Sequence, residues 1–291
     1  MSTPTRTREV SVRRSAGAAT AERGTRWPRF LVVLVLALVW VFPLYWMVVT
    51  ALSTPAELYA ESARLWPAAL HWENFTQPLE RWPFGRWFLN STVIAVVSVV
   101  ATLAVNLSAG YAFAKLDFPL KNTIFLAILS TLMVPVQVVM IGQFQLVVDL
   151  GLVNTDAGVV LPRLAEAFGL FLARQFFAAV PDELVEAARV DGAGPFRTFW
   201  SIVLPLSRPL IAVLVIFTFM WRWNEFAWPL IALQETDRFT LPIGLRYLQD
   251  QYGRDYGSLT AMSLLSVLPM LAVFAVFQRH FVEGMARTGL K

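Results

Sequence analysis

The sequence predicts an all-α, polytopic membrane protein with six transmembrane helices and a helical hairpin on the cytoplasmic side. Three observations carry this. Of its 291 residues, 57% are apolar and 15% charged, with a mean hydropathy of +0.57, outside the composition of soluble domains. The apolar residues fall into charge-free runs matching the about 20 residues a helix needs to cross the hydrocarbon core. Both ends are basic, and Lys and Arg collect on the cytoplasmic side of membranes. Two cytoplasmic ends require an even number of crossings.

Residues 1–29 are rich in Arg, Ser, Thr and Ala, with seven Arg and no apolar period. They predict a disordered basic tail near anionic headgroups. The transmembrane domain is expected over 30–283, with a short cytoplasmic tail at 284–291. Phe30–Leu52, Phe88–Ala114, Asn122–Val148 and Leu259–Gln278 contain no Asp, Glu, Lys or Arg. Pro209–Leu233 is a fifth span, with Arg222 and Glu225 in its outer half. Ala157–Ala179 is the sixth by parity, despite Arg163, Glu166 and Arg174. On this topology the inner segments hold 16 Lys and Arg and the outer loops 6. The first apolar run is too long for a signal peptide's apolar region, and no small-residue cleavage site follows it.

The outer loop 53–87 carries Trp66, Trp72, Trp82 and Trp87. Tryptophan favours the headgroup zone, so the loop is predicted to skim the membrane surface. The turn 115–121 is short and basic, which suits the inner side. Pro135 interrupts span three beside Gln137, and the backbone carbonyl it frees needs another helix or a water-filled cavity. Arg163 and Glu166 are three residues apart, so on a continuous helix they can pair or line a hydrated path. With no cysteine, neither a disulfide framework nor a thiolate metal site is available.

Residues 180–208 form the inner segment between spans four and five. Pro181-Asp182 stops one helix and starts another, with Glu183 near the positive N-terminal end. The new helix ends at Asp191-Gly192, glycine being the common stop. Gly194-Pro195 starts a second one, on which Phe196, Phe199 and Trp200 share an apolar patch. The product is a helix–turn–helix knob. Ala187 and Ala188 allow close approach by a partner, and Glu186 offers it a charge.

Glu186-Ala187-Ala188, Asp191-Gly192-Ala193 and Ile202-Val203-Leu204-Pro205 at this spacing resemble the signature loop of ABC importer permeases, the EAA motif. From about residue 30 onward the chain resembles the carbohydrate, maltose-transporter-like class of that family. The resemblance is carried by Phe42-Pro43, Phe88-Leu89-Asn90-Ser91, Tyr111-Ala112-Phe113-Ala114, Met133-Val134-Pro135-Val136-Gln137 and Trp223-Asn224-Glu225. Two places depart from the pattern: Gly142-Gln143, where the family often has I-P-L-Y, and the tail Thr288–Lys291.

The resemblance implies a type I ABC importer permease whose hairpin is a coupling helix for a separate ATPase. Glu186, Ala187, Ala188, Asp191, Gly192, Phe199, Leu204 and Pro205 are the coupling residues it implies. Pro135, Gln137, Glu166 and Asn224 are candidates for the translocation path. It implies a second permease subunit forming a heterodimer, two ABC ATPases that hold ATP and Mg, and an extracellular solute-binding protein facing the loop 234–258. The chain itself would have no catalytic site, no cofactor and no nucleic-acid partner. The expected cargo is a sugar, and the alternative is a non-sugar solute.

Two other classes fit less well. An ion-coupled secondary transporter usually needs discontinuous helices or mid-membrane carboxylates, for which Glu166 is the best candidate. An intramembrane hydrolase needs a buried Ser–His pair, but His71 falls in an outer loop and His280 at the end of span six.

Overall fold

The computed structural model describes residues 26–60, 64–252 and 255–288, with side chains described except at 26, 251–252 and 280–288. Most of the predicted basic tail, the last three residues and the side chain of His280 therefore lie outside the described residues.

Among the described residues the chain is helical and contains no strand. The helices are α1 (Arg26–Leu52), α2 (Pro55–Leu58), α3 (Glu73–Arg81), α4 (Phe84–Lys115), α5 (Lys121–Ser130), α6 (Val136–Asp149), α7 (Asp156–Val160) and α8 (Ala167–Ala178). They continue as α9 (Asp182–Val190), α10 (Pro195–Thr198), α11 (Leu204–Leu206), α12 (Arg208–Asn224), α13 (Ala227–Ala232), α14 (Leu241–Tyr252) and α15 (Tyr256–Thr288).

Among the described residues three helices are long and apolar enough to cross a membrane: Trp27–Leu52, Phe84–Lys115 and Tyr256–Arg279. Two bent pairs bring the number to five if each pair is one span. The last helix continues to Thr288, past the boundary at 283 expected from the sequence.

The remaining expected spans are interrupted, each where the backbone loses helical hydrogen bonds. In span three, a 3₁₀ turn at Thr131–Met133 leads to extended backbone at Val134 and Pro135. The two halves meet at 106°. Pro135 has no N–H to continue the ladder.

Span four is not one helix over 157–179. It stops at Val160, makes a 3₁₀ turn through Leu161-Pro162-Arg163, and restarts only at Ala167. Span five breaks at Glu225, whose backbone is extended. Pro229 lies four residues beyond and has no N–H to give the Glu225 carbonyl.

Helix α4 is the central strut, packing against α8, α12 and α14, while α15 packs against α12, α1 and α3. Its buried face carries Ser91, Ser98, Thr102, Asn106 and Gly110 as well as apolar residues. Small residues let helices approach closely where lipid supplies no hydrophobic drive. A Cβ at Gly110 would lie 2.5 Å from the Cβ of Ala173, so α4 and α8 are in backbone-level contact there.

In the first turn of α4 Trp87 is fully buried, stacked over Gly244, and donates from Nε1 to the Thr236 carbonyl at 2.8 Å. Trp82 is half-buried with its ring edge-on to Tyr247. Two of the four tryptophans on which the surface-skimming loop was expected are thus turned to the protein interior. Helix α4 starts at Phe84, so Trp87 sits one turn inside it, facing the core. Trp66 and Trp72 are exposed.

The loop 53–87 is held by a capping box between Thr54 and Glu57. Asn74 donates to the carbonyls of Ala51 and Ser53. The segment after α13 contains helix α14, pinned by Asn90, which donates to the Asp237 and Phe239 carbonyls, and by Ser91, which accepts from the Leu241 N–H at 2.7 Å.

Candidate functional site

The segment between α8 and α12 folds into a hairpin over 182–206. Asp182 and Glu183 occupy the first turn of α9 and Arg189 the last, each matching the sign of the helix dipole. Asp191 is the C-cap and Gly192 follows at φ +78°. Ala193 N–H bonds to the Ala188 carbonyl at 2.8 Å and Gly192 N–H to the Arg189 carbonyl at 3.0 Å. This paired closure is a Schellman stop, which requires the left-handed conformation that glycine adopts without strain. A Cβ at Gly192 would meet nothing within 4 Å, so the need for glycine is conformational.

Pro195 opens the second limb, which passes through a π-helical turn at Phe199–Val203 into α11. That limb meets α12 at a bend of 80°.

The eight coupling residues expected from the sequence divide between two faces. Glu186, Ala187, Asp191, Gly192 and Pro205 are exposed, and Leu204 is half-buried. Ala188 and Phe199 are buried. Phe199 is the buried member of the expected apolar triplet, while Phe196 and Trp200 are exposed.

Phe199 turns inward, its ring 5.2 Å from Tyr111 of α4 and 6.4 Å from Phe177 of α8. Phe199 closes the helical turn 195–199, three residues after Phe196 and one before Trp200, so its side chain leaves the helix in a different direction from either. Phe196 and Trp200 stay outside with ring centroids 6.1 Å apart. Between this limb and α4 lies an apolar cleft of about 390 Å³, lined by Leu103, Leu107, Tyr111, Phe196, Phe199 and Trp200.

Above the hairpin, the breaks in spans four and five meet in a network of four charges. Arg222 pairs with Glu166 and with Glu225, the latter at 2.9 Å, and Arg163 pairs with Glu225 at 3.3 Å. Arg222 also donates to the Arg163 carbonyl at 2.9 Å, satisfying a group that the 3₁₀ turn leaves free.

All four side chains are largely buried, between 6% and 18% exposed. Two cations and two carboxylates balance, as charges in spanning segments require. Arg222 ends α12 and Glu166 precedes α8, so each also faces a helix end of opposite sign.

Arg163 and Glu166, which the spacing allowed to pair or to line a path, are each paired with another residue, Arg163 with Glu225 and Glu166 with Arg222. The chain is non-helical over 164–166, with extended backbone at Glu166, so three-residue spacing no longer places them on one face. As a path candidate, Glu166 is engaged by Arg222 rather than free. Pro135, Gln137 and Asn224 are exposed. Asn224 donates to the Met220 carbonyl on its own helix. The structure does not bring Gln137 into the charge network.

Sequence reasoning missed the roles of Arg222 and Lys115, although Pro162 and Pro229 were legible break signals. Lys115, the last residue of α4, is 5% exposed and donates to the Val180 carbonyl and the Asp182 carboxylate, both at 2.6 Å.

Comparison with known proteins fits this geometry. Residues 106–287, which include the hairpin and the charge network, match the family described as binding-protein-dependent transport system inner membrane component. The chain is 38% identical over 259 residues to the arabinooligosaccharides transport system permease protein AraQ of Halalkalibacterium halodurans, covering 88% of this chain and 93% of that protein. It is 34% identical to AraQ of Bacillus subtilis, covering 90% and 94%. It is also 35% identical to the sn-glycerol-3-phosphate transport system permease protein UgpE of Yersinia enterocolitica, covering 84% and 90%.

In fold it is similar to a chain of a bacterial ABC transporter involved in the import of the acidic polysaccharide alginate. That likeness has a TM-score of 0.79 at 22% identity, over 96% of this chain and 100% of the other. The chain thus belongs to the binding-protein-dependent transport system inner membrane component family and is a permease subunit of an ABC importer.

Proposed function

We propose that this chain, with a second permease subunit in a heterodimer, forms the membrane path of an ATP-driven importer for an oligosaccharide. An extracellular binding protein delivers the cargo, and two ATPase subunits hold ATP and Mg. The chain crosses the membrane six times with both termini in the cytoplasm: α1, α4, the bent pair α5–α6, the interrupted segment α7–α8, α12–α13, and α15. The hairpin 182–206 then lies on the cytoplasmic side, where the ATPase seats against Glu186, Ala187, Asp191 and Gly192. Closure of the ATPases moves the hairpin as a rigid body and switches the path between inward and outward access.

The observation that carries this reading is the hairpin itself. One face is exposed, and the other is locked by Phe199 onto α4 and α8. A partner pressing on the outer face displaces two membrane helices at once.

A non-sugar cargo is the second reading, favoured by the likeness to a glycerol-3-phosphate system permease. The test is uptake into proteoliposomes holding the full complex and its binding protein, with arabinooligosaccharides and sn-glycerol 3-phosphate offered separately. ATP-dependent uptake of the oligosaccharide is expected. Uptake of the phosphate ester alone transfers the assignment to the second reading. Uptake that follows an ion gradient at constant ATP overturns both.

A further inference from the structure

We propose that Lys115 is a positioning residue that ties the inner end of α4 to the start of the hairpin, so that α4, α8 and the hairpin move as one body. The proposal rests on the coupling role given to the hairpin above. Lys115 ends a long apolar helix at the turn 116–120, from which a lysine can reach solvent. Instead its side chain is 5% exposed. A buried ammonium is costly unless its donors are used.

Two donors are used on one short stretch of chain. One goes to the carbonyl of Val180, just before Pro181, and one to the carboxylate of Asp182, the first residue of α9. These groups bracket the joint between α8 and the hairpin. Pro181 interrupts the backbone hydrogen bonding there, since it has no N–H.

Elsewhere α4 is already fixed to α8, with Gly110 against Ala173 at backbone distance. Phe199 fixes the second limb of the hairpin to the same pair. The first limb buries Val185 and Ala188, and Lys115 adds a polar tie at the Pro181 joint. With it, both limbs are fastened, one by an aromatic contact and one by charge-assisted bonds.

The chain contains no cysteine, so Asp117→Cys and Glu183→Cys introduce a labelling pair across the tether. The experiment uses the full complex with cysteine-free partner subunits, in liposomes, with and without trapped nucleotide. Nitroxide labels report the distance distribution, and labelled arabinotriose reports import per ATP hydrolysed. With Lys115 intact, the distribution is expected to be narrow and equal in both states. Lys115→Met is expected to broaden it and to lower import per ATP about tenfold, the effect of losing a hydrogen bond to a charged group. Lys115→Arg should restore both readouts. Asp182→Asn, which spares the Val180 bond, should fall between.

A narrow distribution and wild-type coupling in Lys115→Met overturn the proposal. If Lys115→Met does not assemble, Asp182→Asn decides alone, and wild-type values in both readouts overturn it. If the unmutated complex imports no arabinotriose, the cargo assignment fails while the distance measurement still decides on the tether.

Discussion

Replacing Arg222 by Met removes the cation held between Glu166 and Glu225. At the 2.9 Å separation from Glu225, one such contact is worth about 6 kcal/mol of gross attraction at an effective dielectric of about 20. Desolvation of the three groups returns most of it. The measurable loss is the cost of leaving carboxylates buried without compensation, about 3–5 kcal/mol. The lower end applies, because Arg163 still holds Glu225 at 3.3 Å.

The double variant Arg222→Met/Glu166→Gln removes one charge of each sign and leaves the Arg163–Glu225 pair intact. It should recover most of the loss. The assay is the midpoint of thermal inactivation of the purified complex, followed by gel filtration after heating. The single variant should show the lower midpoint and the double variant a value near wild type. An unchanged midpoint in Arg222→Met, or equal losses in single and double variants, would refute the argument that charge balance holds the two breaks together.

Further expectations concern the hairpin, the topology and the path. Gly192→Val forces a β-branched residue to the left-handed region at φ +78°, a strain of about 1–3 kcal/mol. It and Glu186→Ala should insert normally yet lose ATP-driven uptake, and full uptake in both would remove the hairpin from the coupling route. In sealed, right-side-out cells, cysteines at Trp72 and Gln249 should react with an impermeant thiol reagent and one at Asp191 should not. The reverse pattern would invert the topology. A cysteine at Gln137 should react with a small hydrophilic reagent at rates that depend on nucleotide. Inertness in every state, with normal transport by Gln137→Leu, would place it outside the path.

The carboxyl of Asp182 is held below the usual aspartate range by its hydrogen bond to Lys115 and by that ammonium's charge. Its contribution is therefore complete above the unfolded value and is lost only as pH falls through the lowered native one. The distance across the 117–183 label pair should stay narrow from neutral pH to about pH 5. Broadening already between about pH 7 and pH 6 would assign the tether to another group.

Apolar run length made the three uninterrupted helices legible, because bilayer thickness sets it directly. The Gly192 stop was legible for a similar reason, since few residues adopt positive φ. The breaks in spans four and five were less visible. Hydropathy averages across Pro162 and Pro229, which supply an apolar ring and remove a hydrogen-bond donor. The partner of Glu166 was out of reach of sequence spacing, because Arg222 comes from another helix, 56 residues away. The apolar triplet Phe196, Phe199 and Trp200 was legible in the spacing, but that Phe199 is its buried member depends on Tyr111 and Phe177 from other helices. Lys115 looked like an ordinary basic flank. Only the packing of the α8–α9 joint against it distinguishes it from Lys121, whose side chain bonds to the carbonyl of Leu116 in its own turn.

The central claim is that the exposed face of the 182–206 hairpin receives the ATPase. Zero-length or short-reach crosslinking from a cysteine placed at Ala187, in the assembled complex in native membranes, tests it most directly. The account predicts a crosslink to an ATP-binding subunit whose yield changes when nucleotide is trapped. Crosslinking only to the extracellular binding protein, or labelling of that cysteine from outside intact cells, would contradict it.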